Sequence, residues 1–223
     1  SGYLITNLIL REINEGNFKI LIFFERRIRR IVPALFTVII ISIPLAYYNL
    51  SAGVIKDYWQ SVLSSLLFLS NYLFALEENY FDISSKFKPL LHTWSLSVEE
   101  QFYIIFPILL IPIYKINKKL FILILFIFTF VSMFLFFQNP KFNFNTRFDI
   151  LNRLSEIGFG NYYISFSRFW EIFFGCIISI IFFNKDRSSN IVSIFSILIL
   201  ILIVVFYNEN NFDRNIITLS IVF

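Results

Sequence analysis

Apolar residues gather in long runs along this chain, and the polar residues fall mainly between them. Such runs lie near 31–48, 98–114, 119–137 and 163–183, then near 190–207, with a truncated one from about 215. A helix crosses the roughly 30 Å hydrocarbon layer with about 20 apolar residues, so each complete run is long enough to span. The pattern predicts an all-α fold, a polytopic transmembrane helical bundle. One stretch is weaker. Residues 59–76, "WQSVLSSLLFLSNYLFAL", reach spanning length, but Ser61, Ser64, Ser65, Ser70 and Asn71 interrupt them.

Charge decides how the runs thread, because Lys and Arg accumulate in cytoplasmic loops. If 59–76 does not complete a crossing, the inside segments are 7–30, 115–119 and 184–189, with 11 Lys/Arg in 35 residues. The outside segments are then 49–92, 138–163 and 208–214, with 7 in 77, so this threading fits the rule. A full crossing would instead put "KINKK" and "NKDRSS" outside. A re-entrant or interfacial helix is therefore expected for 59–76, with His92 near the extracytoplasmic face. The longest polar segment, 138–162, is expected to be an outer loop. No internal repeat or soluble domain is visible.

Composition agrees with the pattern and narrows the chemistry. The chain is 57% hydrophobic and only 15% charged, against about 25% charged in soluble domains. The single cysteine, Cys176, rules out an internal disulfide framework, and one histidine with one cysteine cannot build a zinc site, so no metal is expected. There is no P-loop, dinucleotide fingerprint or nucleophile elbow. Nucleic acid has no basic, aromatic-interleaved soluble surface to bind. The opening residues do not form a signal peptide, and the last apolar run stops short of a span. The chain is expected to be an internal piece of a longer protein.

Three constellations carry candidate chemistry. In "FFERRIRRIVP" (23–33), Arg26, Arg27, Arg29 and Arg30 precede a spanning helix. They anchor topology, and guanidinium forks also suit the phosphates of a donor. In "LLHTWSLSVEEQFYIIFPILLIPIY" (90–114), helical spacing puts His92, Ser95, Glu99 and Tyr103 on one face. The same stretch reads as a capping box, Ser97-x-x-Glu100, at a helix N-terminus. In 163–183, Arg168 and Glu171 lie three apart inside an apolar run and meet on one face. An intramembrane charge costs about 2.5–3.5 kcal/mol on the insertion scale, so such residues face a cavity or a partner. Gly175 and Ser179 continue that face as a small-xxx-small pattern, which permits close helix contact.

These segments, in this order, resemble the bacterial type 3 membrane acyltransferase family, O-acyltransferases of surface polysaccharides. "SGYLIT" (1–6) is similar to the end of the family's second membrane helix. "FFERRIRRIVP" matches F-x-x-R-x-x-R-I-x-P at Arg27 and Arg30, "KPLLHTWSLSVEEQFYIIFP" (88–107) matches its most recognisable stretch, and "SRFWEIFFG" matches R-x-x-E-x-x-x-G at Arg168, Glu171 and Gly175. The resemblance covers the whole chain and implies about ten membrane helices, of which residues 1–223 form an acyltransferase domain incomplete at both ends. It implies transfer of an acyl group, usually acetyl, from cytoplasmic acetyl-CoA to a hydroxyl of a surface polysaccharide or glycolipid across the bacterial inner membrane. Arg27 and Arg30 would bind the donor's phosphates. Glu99, His92, Arg168 and Glu171 would line the passage where transfer occurs. The family's catalytic histidine lies upstream of "SGYLIT", so this chain alone is expected to be inactive.

A flippase or transporter of lipid-linked sugars would also need intramembrane charges and basic cytoplasmic loops. Transporters of that kind often show repeat symmetry, which is absent from this sequence. In a purely structural membrane protein, Arg168 and Glu171 would be a packing pair only.

Overall fold

The regular structure is entirely helical in the computed structural model, which describes residues 1–78, 88–138, 158 and 160–183. Among these residues the elements are α1 (Gly2–Asn14), α2 (Ile20–Asn49), α3 (Ala52–Leu66), α4 (Ser70–Glu78), α5 (Thr93–Ile105), α6 (Ile111–Ile116), α7 (Lys118–Gln138) and α8 (Ser165–Phe182). A π turn, Phe106–Leu110, joins α5 to α6. It falls at Pro107, whose missing N–H breaks the regular ladder. The chain divides into one body over Ser1–Ser179 and a second unit over Ile180–Phe223. The second unit holds the last residues of α8.

Among the described residues, four helices are long and apolar enough to cross a membrane: Ile20–Asn49, the continuous Thr93–Ile116, Lys118–Gln138 and Ser165–Phe182. They match the runs expected at 31–48, 98–114, 119–137 and 163–183. The runs at 190–207 and from 215, and the loop expected over 138–162 for nearly all its length, lie outside the described residues. Large side chains stand exposed along α7, among them Leu123, Ile127 and Phe130. In a helix this apolar, an exposed apolar surface is one for lipid.

The interrupted stretch 59–76 is not one helix. α3 stops at Leu66, Phe68 takes a left-handed φ of 54°, and α4 starts at Ser70. The polar residues that weakened the apolar run hold this break in place. Ser61 and Ser64 turn back onto carbonyls of their own helix. Ser65 reaches Thr93 at 2.8 Å, and Ser70 meets Ser97 at 2.8 Å and Thr93 at 3.0 Å. Gln101 of α5 donates to the Phe68 carbonyl at 2.8 Å and to Asn71 at 3.0 Å. Asn71 then donates to the Tyr163 carbonyl at 3.0 Å and to Ser165 at 2.9 Å. Backbone freed at a break in a membrane protein must find partners inside the protein, and here Gln101 of α5 supplies one to the Phe68 carbonyl.

Helices α5, α7 and α8 pack through phenylalanine. Phe102 is fully buried and meets Phe106, Phe169 and Phe173, while Phe128 stacks on Phe173. The Ser132 hydroxyl of α7 donates to the Phe166 carbonyl at 2.6 Å and accepts from the Trp170 N–H at 2.8 Å. It thus lodges between two groups of α8 that an unbroken ladder would pair. Helix α1 closes on Gly16, whose φ of 74° suits glycine. The Gly16 and Asn17 N–H groups cap the carbonyls of Ile13 and Glu12, a Schellman closure that turns the chain into α2.

One expectation is overturned. Ser97 and Glu100 do not form a capping box, because the helix begins five residues earlier, with His92 rather than Ser97 at its N-cap. Ser97 is buried in the second turn and bonded to Ser70. No orphan N–H is left there for a cap to satisfy.

Candidate active site

Arg168 and Glu171 lie in the first two turns of α8, three residues apart, which places both on one face. Their side chains form an ion pair at 2.8 Å. The contact is close but poorly aligned, and neither of its two atoms makes a well-directed hydrogen bond. The Arg168 side chain is enclosed by the protein, only 11% exposed. Aromatic rings surround its guanidinium: Tyr162 at 4.4 Å, Trp94 at 5.7 Å and Phe136 at 5.7 Å. Cation–π contacts strengthen when desolvated, which helps to offset the burial of this charge.

The pair opens onto a cavity of about 310 Å³. Glu99, Trp94 and Ser95 of α5 form one wall, Arg168 and Glu171 of α8 another, and the start of α1 closes it. Glu99, Arg168 and Glu171, remote in sequence, therefore share one interior. His92 does not join them. It sits exposed at the N-cap of α5, where its carbonyl accepts from Ser95, and it is not part of the cavity wall.

Two glycines let α1 come this close. A Cβ on Gly2 would overlap the Ile172 carbonyl oxygen, and a Cβ on Gly175 would stand 3.0 Å from the Tyr3 backbone nitrogen. The small-residue stripe read in α8 thus forms a helix contact, with its partner glycine on α1. Since the obstacle at Gly2 is backbone, Gly2→Ala is expected to push the helices apart and destabilise the protein by about 1–3 kcal/mol, as overpacking does. A thermal melt of purified full-length protein checks this, and an unchanged midpoint would count against the contact.

On its far side Glu99 continues toward the arginine cluster. The Tyr103 hydroxyl donates to Glu99 at 2.9 Å, one turn along α5. The Arg27 guanidinium of α2 stands 4.8 Å from the centre of the Tyr103 ring. It also acts electrostatically on Glu100, which has a buried carboxylate oxygen without a hydrogen-bond partner. The four arginines divide into two kinds. Arg26 pairs with Glu12 at 2.6 Å and Arg29 with Glu25 at 2.7 Å. Neither Arg27 nor Arg30 has a carboxylate partner among the described residues, and Arg30 is exposed.

Sequence reasoning undervalued several residues here. The sequence places Tyr103 only on a shared face, and its helical spacing from Glu99 is the available signal. Trp94 and Tyr162, which enclose Arg168, carried no local signal of their own, because the contacts join distant parts of the chain.

A family described as an acyltransferase domain, the type 3 acyltransferases, matches residues 1–222. An uncharacterized protein of Haemophilus influenzae is 33% identical over 216 residues, covering 94% of this chain and 85% of its own length. The peptidoglycan O-acetyltransferase OatA of Listeria monocytogenes is 32% identical over 121 residues, which are 53% of this chain but 19% of that protein. No solved structure matches. The chain belongs to the type 3 acyltransferase family, and its class is that of membrane O-acyltransferases.

Proposed function

We propose that the protein moves an acetyl group from cytoplasmic acetyl-CoA to a hydroxyl of a cell-envelope polysaccharide or glycolipid, as a multi-pass protein of the inner membrane. One observation carries this reading: Glu99, Arg168 and Glu171 converge on a single cavity, and Glu99 connects through Tyr103 to Arg27. At about 310 Å³ the cavity suits a thioester tip or one sugar ring, near the lower bound of small-molecule sites. The nucleotide end of the donor stays outside it, where Arg27 and Arg30 form no close ion pair with a carboxylate among the described residues. Phosphates take such groups through bidentate, charge-assisted bonds.

In the cavity Glu99 and the Arg168–Glu171 pair present fixed charge where the thioester carbonyl and the attacking hydroxyl develop charge of their own. Preorganised charge in a water-poor site stabilises a transition state more than it would in water. Attack of the hydroxyl oxygen on the carbonyl carbon forms the ester and releases the coenzyme A thiol, to which the hydroxyl proton passes overall. The OatA relative's name points to peptidoglycan as one acceptor class within this reading.

The test follows isotopically labelled acetyl from acetyl-CoA onto envelope glycans by mass spectrometry in cells expressing the full-length protein. Arg27→Ala is expected to raise the KM for acetyl-CoA about tenfold, as the loss of one charge-assisted contact of about 1.5 kcal/mol implies. Arg29→Ala, which removes an exposed ion pair with Glu25, is expected to leave KM within twofold. Equal effects of the two substitutions would remove the donor-binding assignment. Absence of label in any glycan fraction would remove the transfer reading.

A further inference from the structure

Tyr103 stands where the two halves of the candidate site meet, in contact with both Glu99 and Arg27. It is 4% exposed, with its hydroxyl on Glu99 and its ring face under the Arg27 guanidinium. Glu99 lines the cavity, whereas Arg27 belongs to the basic face of α2. We infer that Tyr103 is a positioning residue that joins the donor site to the cavity: its hydroxyl fixes the Glu99 carboxylate at the cavity wall, and its ring seats Arg27 for the donor. The inference rests on the function proposed above.

The two contacts use different parts of one side chain. A phenol hydroxyl bonded to a carboxylate restricts carboxylate rotation, so one oxygen is held and the other is free to face the cavity. An aromatic face attracts a guanidinium through its quadrupole whether or not a hydroxyl is present. The surroundings favour both. Phe102 packs edge-on against Tyr103, and Arg27 also lies 5.8 Å from the Phe23 ring, so the guanidinium rests between rings of α2 and α5. A tyrosine retained for packing alone would need neither its hydroxyl nor a cation on its face.

The two roles separate by substitution. Tyr103→Phe keeps the ring and removes the hydroxyl; Tyr103→Leu removes both. Full-length protein in nanodiscs is titrated with coenzyme A by calorimetry, and acetyl transfer in membrane vesicles is measured over a range of acetyl-CoA. Tyr103→Phe is expected to bind coenzyme A within twofold of wild type while kcat falls at least tenfold. Tyr103→Leu is expected to lose the same kcat and also to weaken coenzyme A binding about tenfold. Weakened binding in Tyr103→Leu without an effect of Tyr103→Phe on kcat would overturn the Glu99 half, and unchanged binding in Tyr103→Leu would overturn the Arg27 half. A merely structural tyrosine would instead lower the yield of folded protein in both variants and leave kcat and binding per folded molecule unchanged. Wild-type protein that does not bind coenzyme A would remove the donor site, and this inference with it.

Discussion

Arg168→Ala is expected to abolish acetyl transfer and also to lower stability by about 3 kcal/mol, whereas Arg168→Met combined with Glu171→Leu restores stability without restoring transfer. Removing one member of a buried ion pair strands the other, at a cost of about 3–5 kcal/mol. Glu171 keeps 24% of its side chain exposed, which places the expected loss at the lower end. Replacing both partners with apolar side chains removes the stranded charge, and such replacements are often neutral or stabilising. Stability is read from thermal unfolding in detergent, and transfer from labelled acetyl in envelope glycans. The double variant decides between two roles for the pair. If it transferred acetyl at the wild-type rate, Arg168 and Glu171 would be a packing device, and the cavity would owe its chemistry to Glu99 alone.

A second large effect is expected at Asn71, a fully buried amide that joins three elements. Asn71→Leu keeps the number and branching of side-chain heavy atoms but removes the bonds to the Tyr163 carbonyl, Ser165 and Gln101. Interhelical hydrogen bonds in membrane proteins average about 0.6 kcal/mol and reach about 1.7. Three together predict a loss of about 2–4 kcal/mol. For a domain of this size that lowers the melting midpoint by roughly 5–15 °C. Ser64→Ala, which removes a bond within a single helix, is expected to stay within about 0.5 kcal/mol of wild type. If both variants melted together, the polar seam would not be what holds the α3–α4 break against α5 and α8.

What the sequence revealed divides along local and distant contacts. The four described helices long and apolar enough to span were legible because length and hydropathy are properties of a continuous run. The Arg168–Glu171 pair and the Glu99–Tyr103 bond were legible as spacings of three and four on a helix. The serines and Asn71 marked 59–76 as unfit for an ordinary crossing, but their partners Thr93, Ser97 and Ser165 are distant in sequence. Nothing in local pattern links them. His92 shows the limit of periodicity: the spacing assigned it a face, while the cavity begins beyond it, at Trp94 and Ser95. The capping box misled for a related reason. The motif signals a helix start only where N–H groups are unpaired, and Thr93–Leu96 had already continued the helix upstream.

The hydroxyl of Ser132, seated between Phe166 and Trp170, gives the enzyme a fixed ruler. Helix α8 cannot slip a turn along α7 without breaking both bonds, so the immersion depth of Arg168 follows the vertical position of α7. That position is set by the fit of a 21-residue greasy cylinder, about 31 Å long, to the thickness of the surrounding lipid sheet. A thinner or thicker bilayer is therefore expected to displace the charged pair together with α7, so that acyl-chain length in the host membrane sets the depth of the pair.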